Sequence, residues 1–292
     1  MGVEEFVVQI FNGLVIGSTY VLLALGVTLI YGLLNIINFA HGEIFMLGAY
    51  FAFVCVTTWG LSYWLSAILV MIICAAMYVV LDFVAFKKVR GFELGPLITS
   101  IGVSIFLQNL ALIVFGGDPR QLATPYLDEI ISYGMLSFSL QRFLIIPAAI
   151  ITIIGLYVLI EKTTIGRAIR AVSQDRHVAS LMGINPTLVI FFTFAIAGVL
   201  VAIPSVLVSP LFYIFPLMGV TLTLKAYIIV VMGGFGNILG TIIAGMILGL
   251  TESMVAGFGA SRWIDAISFL VLVAFLLVKP YGIISERREE NV

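Results

Sequence analysis

Nine long hydrophobic stretches alternate with short polar or glycine-containing connections along the chain. A helix needs about twenty apolar residues to cross the hydrocarbon core of a bilayer, so each stretch predicts a membrane-spanning helix. The predicted spans are 6–30, 36–57, 62–86, 95–116, 142–161, 187–208, 219–233, 240–256 and 263–279. The stretches at 219–233 and 240–256 are short and interrupted by glycine, which is typical of broken or re-entrant segments.

The composition supports the same fold class. Apolar residues make up 62% of the 292 residues, charged residues make up 10%, and the mean hydropathy is +1.22. A soluble protein would be about one quarter charged. We therefore predict an all-α membrane protein, a polytopic bundle of about eight or nine spans that forms one domain over residues 1–292. A net charge of −1 gives no reason to expect nucleic-acid binding.

The distribution of basic residues predicts the orientation. If the N-terminus lies outside and nine spans alternate, ten of the fourteen Lys and Arg residues face the cytoplasm, and three face outward. The positive-inside rule favours this arrangement and an odd number of crossings. The segment MGVEEF also lacks the basic region of a signal peptide, so the first span is expected to be retained.

Two long polar connections lie on opposite sides in this arrangement. The outer loop covers 117–141, the inner loop covers 162–186, and a cytoplasmic tail covers 280–292. Apolar residues recur at helical spacing in the first half of the inner loop, at Ile165, Ala168, Ile169 and Val172, and the pattern resumes at Val178, Leu181 and Met182.

Polar residues mark the ends of these inner-loop pieces. Ser173 or Asp175 is suited to cap the second piece at its start, and Gly183 is suited to end it. The pattern predicts one or two short amphipathic helices at the cytoplasmic surface. By spacing alone, they either rest on lipid headgroups or bind a soluble partner.

The stretch NIINFAHGEIFMLGAYFAF, residues 35–53, places Asn38, His41 and Glu43 in otherwise apolar sequence. A charge at the bilayer centre costs at least about 2.5–3.5 kcal/mol, so Glu43 is expected to face protein or water. On a regular helix Asn38 and His41 share a face, whereas Glu43 lies about 200° from His41. A break at Gly42 would turn both side chains inward. Glu43 then either bonds a neighbouring helix, contacts a solute, or belongs to a gate.

Three further charges, Lys225, Glu252 and Asp265, fall in late spans, and Lys225 with Glu252 is a candidate ion pair. The candidate residues for a translocation path or gate are Asn38, His41, Glu43, Lys225 and Glu252. Cys55 and Cys74 also fall in spans and are expected to be buried free thiols. No cluster of metal ligands and no arrangement of nucleophile and base is visible in the sequence, so no metal site or catalytic residue is predicted.

Glycine recurs in VVMGGFGNILGTIIAGMILG, residues 230–249. The spacing differs from the dinucleotide-binding G-x-G-x-x-G, and no strand precedes it. Gly236, Gly240 and Ala244 recur every four residues, a small-residue row that permits close helix packing. The sequence also lacks G-x-x-x-x-G-K-[ST], so we expect no ATP-binding P-loop in this chain.

Several segments closely resemble the membrane permeases of branched-chain amino acid ABC importers, in particular the smaller, H-type subunit. They are NGLVIGSTYVLLALGVTLIYGL (12–33), NFAHGEIFMLGAY (38–50), GRAIRAVSQDRHVASLMGIN (166–185), LKAYIIVVMGGFGNILG (224–240) and RWIDAISFLVLVAFLLVKPYGII (262–284). The glycine-rich segments NFAHGEIFMLGAY and GGFGNILGTIIAG (233–245) lie in opposite halves of the chain, which fits the internal repeats of transporters.

The resemblance implies a transport subunit without enzymatic activity or a cofactor of its own, in the inner or plasma membrane of a prokaryote. It implies a second, related permease, two cytoplasmic ATPase subunits that use ATP and Mg, and an external solute-binding protein. The inner loop would be the element that couples the permease to an ATPase. The coupling residues are then Gly166, Arg167, Ile169, Arg170, Asp175, Arg176, Leu181, Met182 and Gly183. Alternatives are a permease for urea, short amides or another small polar solute, and an ion-coupled secondary transporter.

Overall fold

A computed structural model describes residues 2–92, 94–133 and 136–284. In this part of the chain, eight helices are long and apolar enough to cross a bilayer, and one further apolar helix has 16 residues. The helices are α1 (Val3–Leu34), α2 (His41–Phe53), α3 (Tyr63–Leu81), α4 (Lys87–Val89), α5 (Gly95–Phe115), α6 (Pro125–Asp128), α7 (Leu140–Lys162), α8 (Thr164–Gln174), α9 (Arg176–Leu181), α10 (Pro186–Val208), α11 (Met218–Gly233), α12 (Ile238–Gly257) and α13 (Ile264–Val278). The predicted all-α, polytopic fold class is confirmed.

Non-α turns interrupt or extend some of these helices. Val54–Thr58 continues α2 as a π-helix, Asp82–Phe86 joins α3 to α4 in the same form, and a 3₁₀ turn at Ser261–Trp263 precedes α13. The two short predicted spans correspond to α11 and α12. Of these two, only α11 is too short to count among the eight long apolar helices.

Helix α1 lies at the centre of the bundle. The side chains of Val21, Leu22, Leu23, Ala24 and Leu25 are all fully buried, so every face of this part of α1 contacts protein. The contact with α12 is glycine-mediated: Gly249 lies against Gly17, and a Cβ on Gly13 would come within 2.9 Å of Leu250 Cα. Small residues four apart on both helices let the backbones approach closely, which is how membrane helices gain packing energy without a hydrophobic driving force.

The predicted row of small residues is only partly correct. Gly236 precedes α12 and has φ +79, so it lies in a turn against Gly32. Gly240 packs against Gly233 of α11, and the close contact with α1 involves Gly245 and Gly249. The four-residue spacing identified packing glycines, but the helix begins too late to include Gly236, because Gly234 and Gly236 adopt the positive φ of a turn.

The second predicted span, 36–57, begins later than the sequence suggests. Asn35 ends α1 in the left-handed conformation with φ 53, and α2 starts only at His41. The ring of His41 contacts Gly26 and bonds Leu23, which lie about two to three turns before the end of α1. The non-helical segment 35–40 therefore returns into the bundle, and α2 begins at depth rather than at the membrane surface.

The outer loop 117–141 contains regular structure that the sequence did not predict. It holds α6 and an antiparallel pair of strands, β1 (Ile130–Tyr133) and β2 (Leu136–Ser139). The backbone of Arg120 also pairs with that of Ile214, which joins this loop to the connection before α11. Of the predicted tail 280–292, residues 285–292, including Arg287 and Arg288, lie outside the described residues.

Helices α5, α7 and α13 are peripheral. Ile113 on α5 is 82% exposed, Ile151 on α7 is 70% exposed, and Leu277 on α13 is 81% exposed. Apolar surface of this extent requires lipid or another membrane protein as its surroundings.

Candidate solute path and coupling elements

Glu43 lies in the first turn of α2 and is fully buried. Its Oε1 accepts hydrogen bonds from Ser104 Oγ at 3.0 Å and from Gln108 Nε2 at 2.8 Å, both on α5. Its Oε2 has no hydrogen-bond partner in the described part of the chain. The carboxylate lies against Gly219, where a Cβ would come within 2.5 Å of Oε2. Since Gly219 is in the first turn of α11, the positive end of that helix dipole faces an acidic group.

Gly42 brings α2 and α11 together. Its N–H donates to Thr223 Oγ1 at 2.9 Å, and a Cβ at this position would collide with the carbonyl of Gly219. The predicted break at Gly42 is therefore wrong. The break precedes His41, and Gly42 is the helical position at which two backbones touch.

His41 and Asn38 have partners different from those of Glu43. His41 Nε2 donates to the carbonyl of Leu23 at 2.9 Å, and Nδ1 then accepts from the hydroxyl of Tyr78, because a carbonyl can only accept. Asn38 lies outside α2, where its side chain accepts from the N–H of Ala40 at 3.0 Å. The shared helical face predicted for Asn38 and His41 is wrong, because residues 35–40 are not helical.

Lys225 is the centre of a second polar cluster, and its predicted pairing with Glu252 is confirmed. Lys225 Nζ lies 2.5 Å from Glu252 Oε1 and 2.9 Å from Asp265 Oδ1. Lys225 also donates to Ser268 Oγ at 2.8 Å, and Tyr20 donates to Glu252 Oε2 at 2.7 Å. The cluster connects α1, α11, α12 and α13.

The neutral members of both clusters were not predicted from the sequence. Ser104 and Gln108 lie four residues apart on α5, and Tyr20 and Ser268 lie on α1 and α13. The available signal was the occurrence of polar side chains in apolar spans, and the four-residue spacing of Ser104 and Gln108 places them on one helical face. Which acidic residue they would face could not be read from that spacing.

Two adjoining cavities form a groove between α5 and α11, which we call the α5–α11 groove. The inner cavity has a volume of about 210 Å³, and its walls include Ser104, Gln108 and Thr223 beside apolar residues. A second cavity of about 210 Å³ shares Gln108 and extends to Phe215 and Gly117. Ile105 and Val220 on the rim are 54% and 40% exposed, so the groove opens at the surface of the bundle.

The inner loop forms α8 and α9, as its spacing predicts. Asp175 caps α9 by accepting from the N–H groups of His177 at 2.7 Å and Val178 at 3.0 Å. These bonds stabilise the carboxylate and lower the pKa of Asp175. Gly183 follows α9 with φ +82, in agreement with its predicted role at the helix end.

The two inner-loop helices expose different surfaces. On α8, Ile169 and Val172 are buried within the chain, and Gly166 packs against the carbonyls of Leu159 and Ile160 at the end of α7. On α9 and directly after it, Leu181 and Met182 are 73% and 78% exposed. An apolar face along the whole loop was expected to be available to a partner. Most of the exposed apolar surface is at the α9 end, because α8 packs Ile169 and Val172 on this chain and leaves only Ile165 of its predicted face exposed.

The basic residues of the loop also differ in their contacts. Arg170 Nη1 donates to the carbonyl of Ile160 and lies 3.5 Å from Glu161 Oε2. Arg167 and Arg176 are exposed. Arg170 therefore stabilises the junction of α7 and α8, while the other two remain accessible at the surface.

Cys55 and Cys74 are buried free thiols, as predicted. Cys74 lies where α3 meets α2, with Sγ 3.9 Å from the carbonyl of Ile44. Both thus serve as small packing residues.

Comparisons with known proteins agree with the sequence resemblance. The family model "Branched-chain amino acid transport system / permease component" matches residues 9–276. The permease protein BraD of the high-affinity branched-chain amino acid transport system of Pseudomonas aeruginosa is 33% identical, and the alignment covers 99% of each chain. The corresponding permease protein LivH of Escherichia coli is 34% identical over 98% of each chain.

A more distant relative and the solved structures complete the comparison. The ribose import permease protein RbsC of Bacillus subtilis is 29% identical over 63% of this chain and 60% of its own. No solved structure is significantly similar to this chain. With the family match covering nearly all of its membrane helices, this chain belongs to the family of permease components of branched-chain amino acid transport systems.

Proposed function

We propose that this permease carries branched-chain or other hydrophobic amino acids across the inner or plasma membrane of a prokaryote as a subunit of an ATP-driven importer. The observation that carries the proposal is the match over nearly the full length to permeases of branched-chain amino acid transport systems. One permease domain over residues 1–292 would form half of the path, and a second, related permease would form the other half. An external binding protein would deliver the solute.

The proposed orientation places the N-terminus outside and the C-terminus in the cytoplasm. Its support is the distribution of ten basic residues on one side against three on the other. If the nine apolar helices found among the described residues alternate in direction, α8 and α9 would lie at the cytoplasmic surface and the β1–β2 hairpin outside. The hairpin side would face the binding protein.

In this proposal α9 binds a cytoplasmic ATPase. The exposed side chains of Leu181 and Met182 support it, because exposed apolar anchors supply most of the energy of a protein interface. ATP binding and hydrolysis, with Mg, occur in the ATPase subunits, in keeping with the lack of a P-loop sequence in this chain. Motion of α9 reaches the membrane helices through α8, whose buried Ile169 and Val172 fix it to the bundle.

The two polar clusters would have different roles in the proposed path and gate. Glu43 adjoins the α5–α11 groove through Ser104 and Gln108, which supports a role beside the path. His41 and Asn38 hold the start of α2 against α1 and α11. Lys225 and Glu252 connect α11 to α12 and α13, and α11 also contacts α2 at Gly42. Movement of α11 would therefore be transmitted to α2 on one side and to α12 and α13 on the other.

The test is uptake by the reconstituted complex of both permeases, the ATPases and the binding protein. Leucine uptake into proteoliposomes should require ATP and should persist when ionophores collapse the ion gradients. Urea and short amides as competitors would test the first alternative solute class. Uptake that follows the ion gradient without ATP would favour an ion-coupled secondary transporter, with Glu43, Lys225, Glu252 and Asp265 as coupling groups.

A further inference from the structure

Two buried carboxylates, Glu252 and Glu43, have different surroundings. Glu252 has a cationic partner in Lys225 and hydrogen bonds from Tyr20 and Ser268. Glu43 is equally buried, but in the described part of the chain it has only the neutral donors Ser104 and Gln108, and no salt bridge. An ionisable group inside a membrane protein is costly and marks a functional position by default. Glu43 Oε2, which has no hydrogen-bond partner among the described residues, is therefore suited to bind a cationic group supplied from outside the chain.

The α5–α11 groove lies next to this buried carboxylate. Ser104 and Gln108 line the inner cavity and donate to Glu43 Oε1, so the carboxylate lies directly behind the cavity wall. Oε2, which has no partner, lies beside Gly219, and the adjacent Val220 lines the cavity. The rest of the wall is mostly apolar and includes Phe39, Ile101 and Leu224. A cavity with aliphatic walls and a polar wall that is backed by a carboxylate suits a small ligand with both an ammonium group and an apolar side chain.

We infer that Glu43 binds the ammonium group of the transported amino acid, whose aliphatic side chain contacts the apolar walls of the α5–α11 groove. The inference rests on the proposed function for the identity of the solute. An ammonium has three N–H donors and no acceptor, so it complements an oxygen that has no other partner. Ser104 and Gln108 are positioning residues, because they orient the carboxylate through Oε1, while Oε2 has no hydrogen-bond partner among the described residues.

The first experiment measures cation preference in the groove with the complete importer complex in lipid nanodiscs. Cys55 and Cys74 are replaced by Ala, and V220C places a single reactive thiol on the cavity wall. Aminoethyl, neutral methyl and sulfonatoethyl methanethiosulfonates then react with it in turn. Each rate is divided by the rate of the same reagent with a free thiol. After this correction, the aminoethyl reagent should react at least about tenfold faster than the sulfonatoethyl reagent. Equal relative rates, or no reaction with any reagent in any nucleotide state, would overturn the inference.

The second experiment removes the charge. Glu43→Gln in the V220C background should abolish the preference for the aminoethyl reagent, while the exposed matched control Glu4→Gln should retain it. Persistence of the preference in Glu43→Gln would show that Glu43 has no direct role in binding the cation.

A third measurement needs no change at Glu43 and so does not depend on folding of that variant. Leucine should slow the reaction of the V220C thiol, whereas 4-methylpentanoate, which lacks the ammonium group, should not. Equal protection by both compounds contradicts the inference. Failure of ATP-driven leucine uptake would contradict the proposed function instead, since the cation preference of the groove is measured without transport.

Discussion

Lys225 and Glu252 form a buried ion pair in which Nζ lies 2.5 Å from Oε1. Each residue lies on a different helix, α11 and α12, and Asp265 adds α13 to the same cluster. Removing one partner of a buried pair leaves an uncompensated charge, whereas removing both avoids that penalty.

Lys225→Met should therefore lower the free energy of unfolding by about 3–5 kcal/mol. The double variant Lys225→Met with Glu252→Gln should recover most of this loss. Denaturant unfolding of the purified complex and membrane abundance are the measurements. If the double variant is as unstable as the single one, the two side chains are not coupled as the geometry indicates.

The glycine contact between α1 and α12 makes a second prediction. Gly249→Ala places a Cβ against the backbone of Gly17, and such overpacking costs about 1–3 kcal/mol. Gly102 on α5 has open space around it, so Gly102→Ala should be neutral or slightly stabilising because alanine favours helix. Thermal unfolding of both variants should separate them. Equal melting temperatures would mean that α1 and α12 are farther apart than described.

The exposed apolar end of α9 predicts a coupling defect without a folding defect. Leu181→Asp should reduce ATPase binding at least about tenfold, the effect of losing an apolar anchor, and should leave membrane abundance unchanged. Val172→Asp, at a buried position on α8, should instead lower abundance. Co-purification of the ATPase and quantitative membrane immunoblots distinguish the two results. Normal uptake and ATPase binding in Leu181→Asp would show that α9 is only a surface helix.

Arg170→Ala provides a milder comparison in the same loop. Arg170 is partly exposed and pairs with Glu161 of its own chain, so its replacement should affect ATPase binding less than Leu181→Asp does.

Asp175 predicts an acid-sensitive start to α9. Hydrogen bonds from Val178 and His177 hold the pKa of Asp175 below its ordinary value of 3.8. The carboxylate cap is fully effective above that value and is lost as the pH falls through the lower folded-state pKa. The amide groups of His177 and Val178 should lose protection from hydrogen exchange over this acidic range. In Asp175→Asn, the same amides should keep their protection at the same pH values. Parallel behaviour of both proteins would contradict the assignment, since the asparagine cap does not titrate.

Orientation can be tested with single cysteines in a background without Cys55 and Cys74. A membrane-impermeant thiol reagent should label Asp128→Cys in intact cells and Lys88→Cys only after the cells are opened, because the positive-inside rule places them on opposite sides. The reverse labelling pattern would invert the proposed topology.

The sequence by itself determined the number of apolar segments, the fold class and the two inner-loop helices. These features depend on local properties. An apolar run of sufficient length predicts a span wherever it occurs, and Asp175 and Gly183 mark helix ends through bonds and backbone angles within a few residues. The pairing of Lys225 with Glu252 was also accessible, because so few charges in the spans needed partners.

Only the tertiary structure decided which helix faces meet. Both lipid and the protein interior favour apolar side chains, so hydrophobicity around a spanning helix does not distinguish its buried face from its lipid-facing one. The contacts of Gly17 with Gly249 and of Glu43 with Ser104 join residues far apart in the chain. The late start of α2 likewise depends on the bonds that His41 makes to α1 and α3. A single sequence contains the residues for these contacts, but it does not show which residues pair. Each glycine could pack against several helices, and each polar group could bond to several helices. The pairs are decided by the one arrangement in which all these contacts form together.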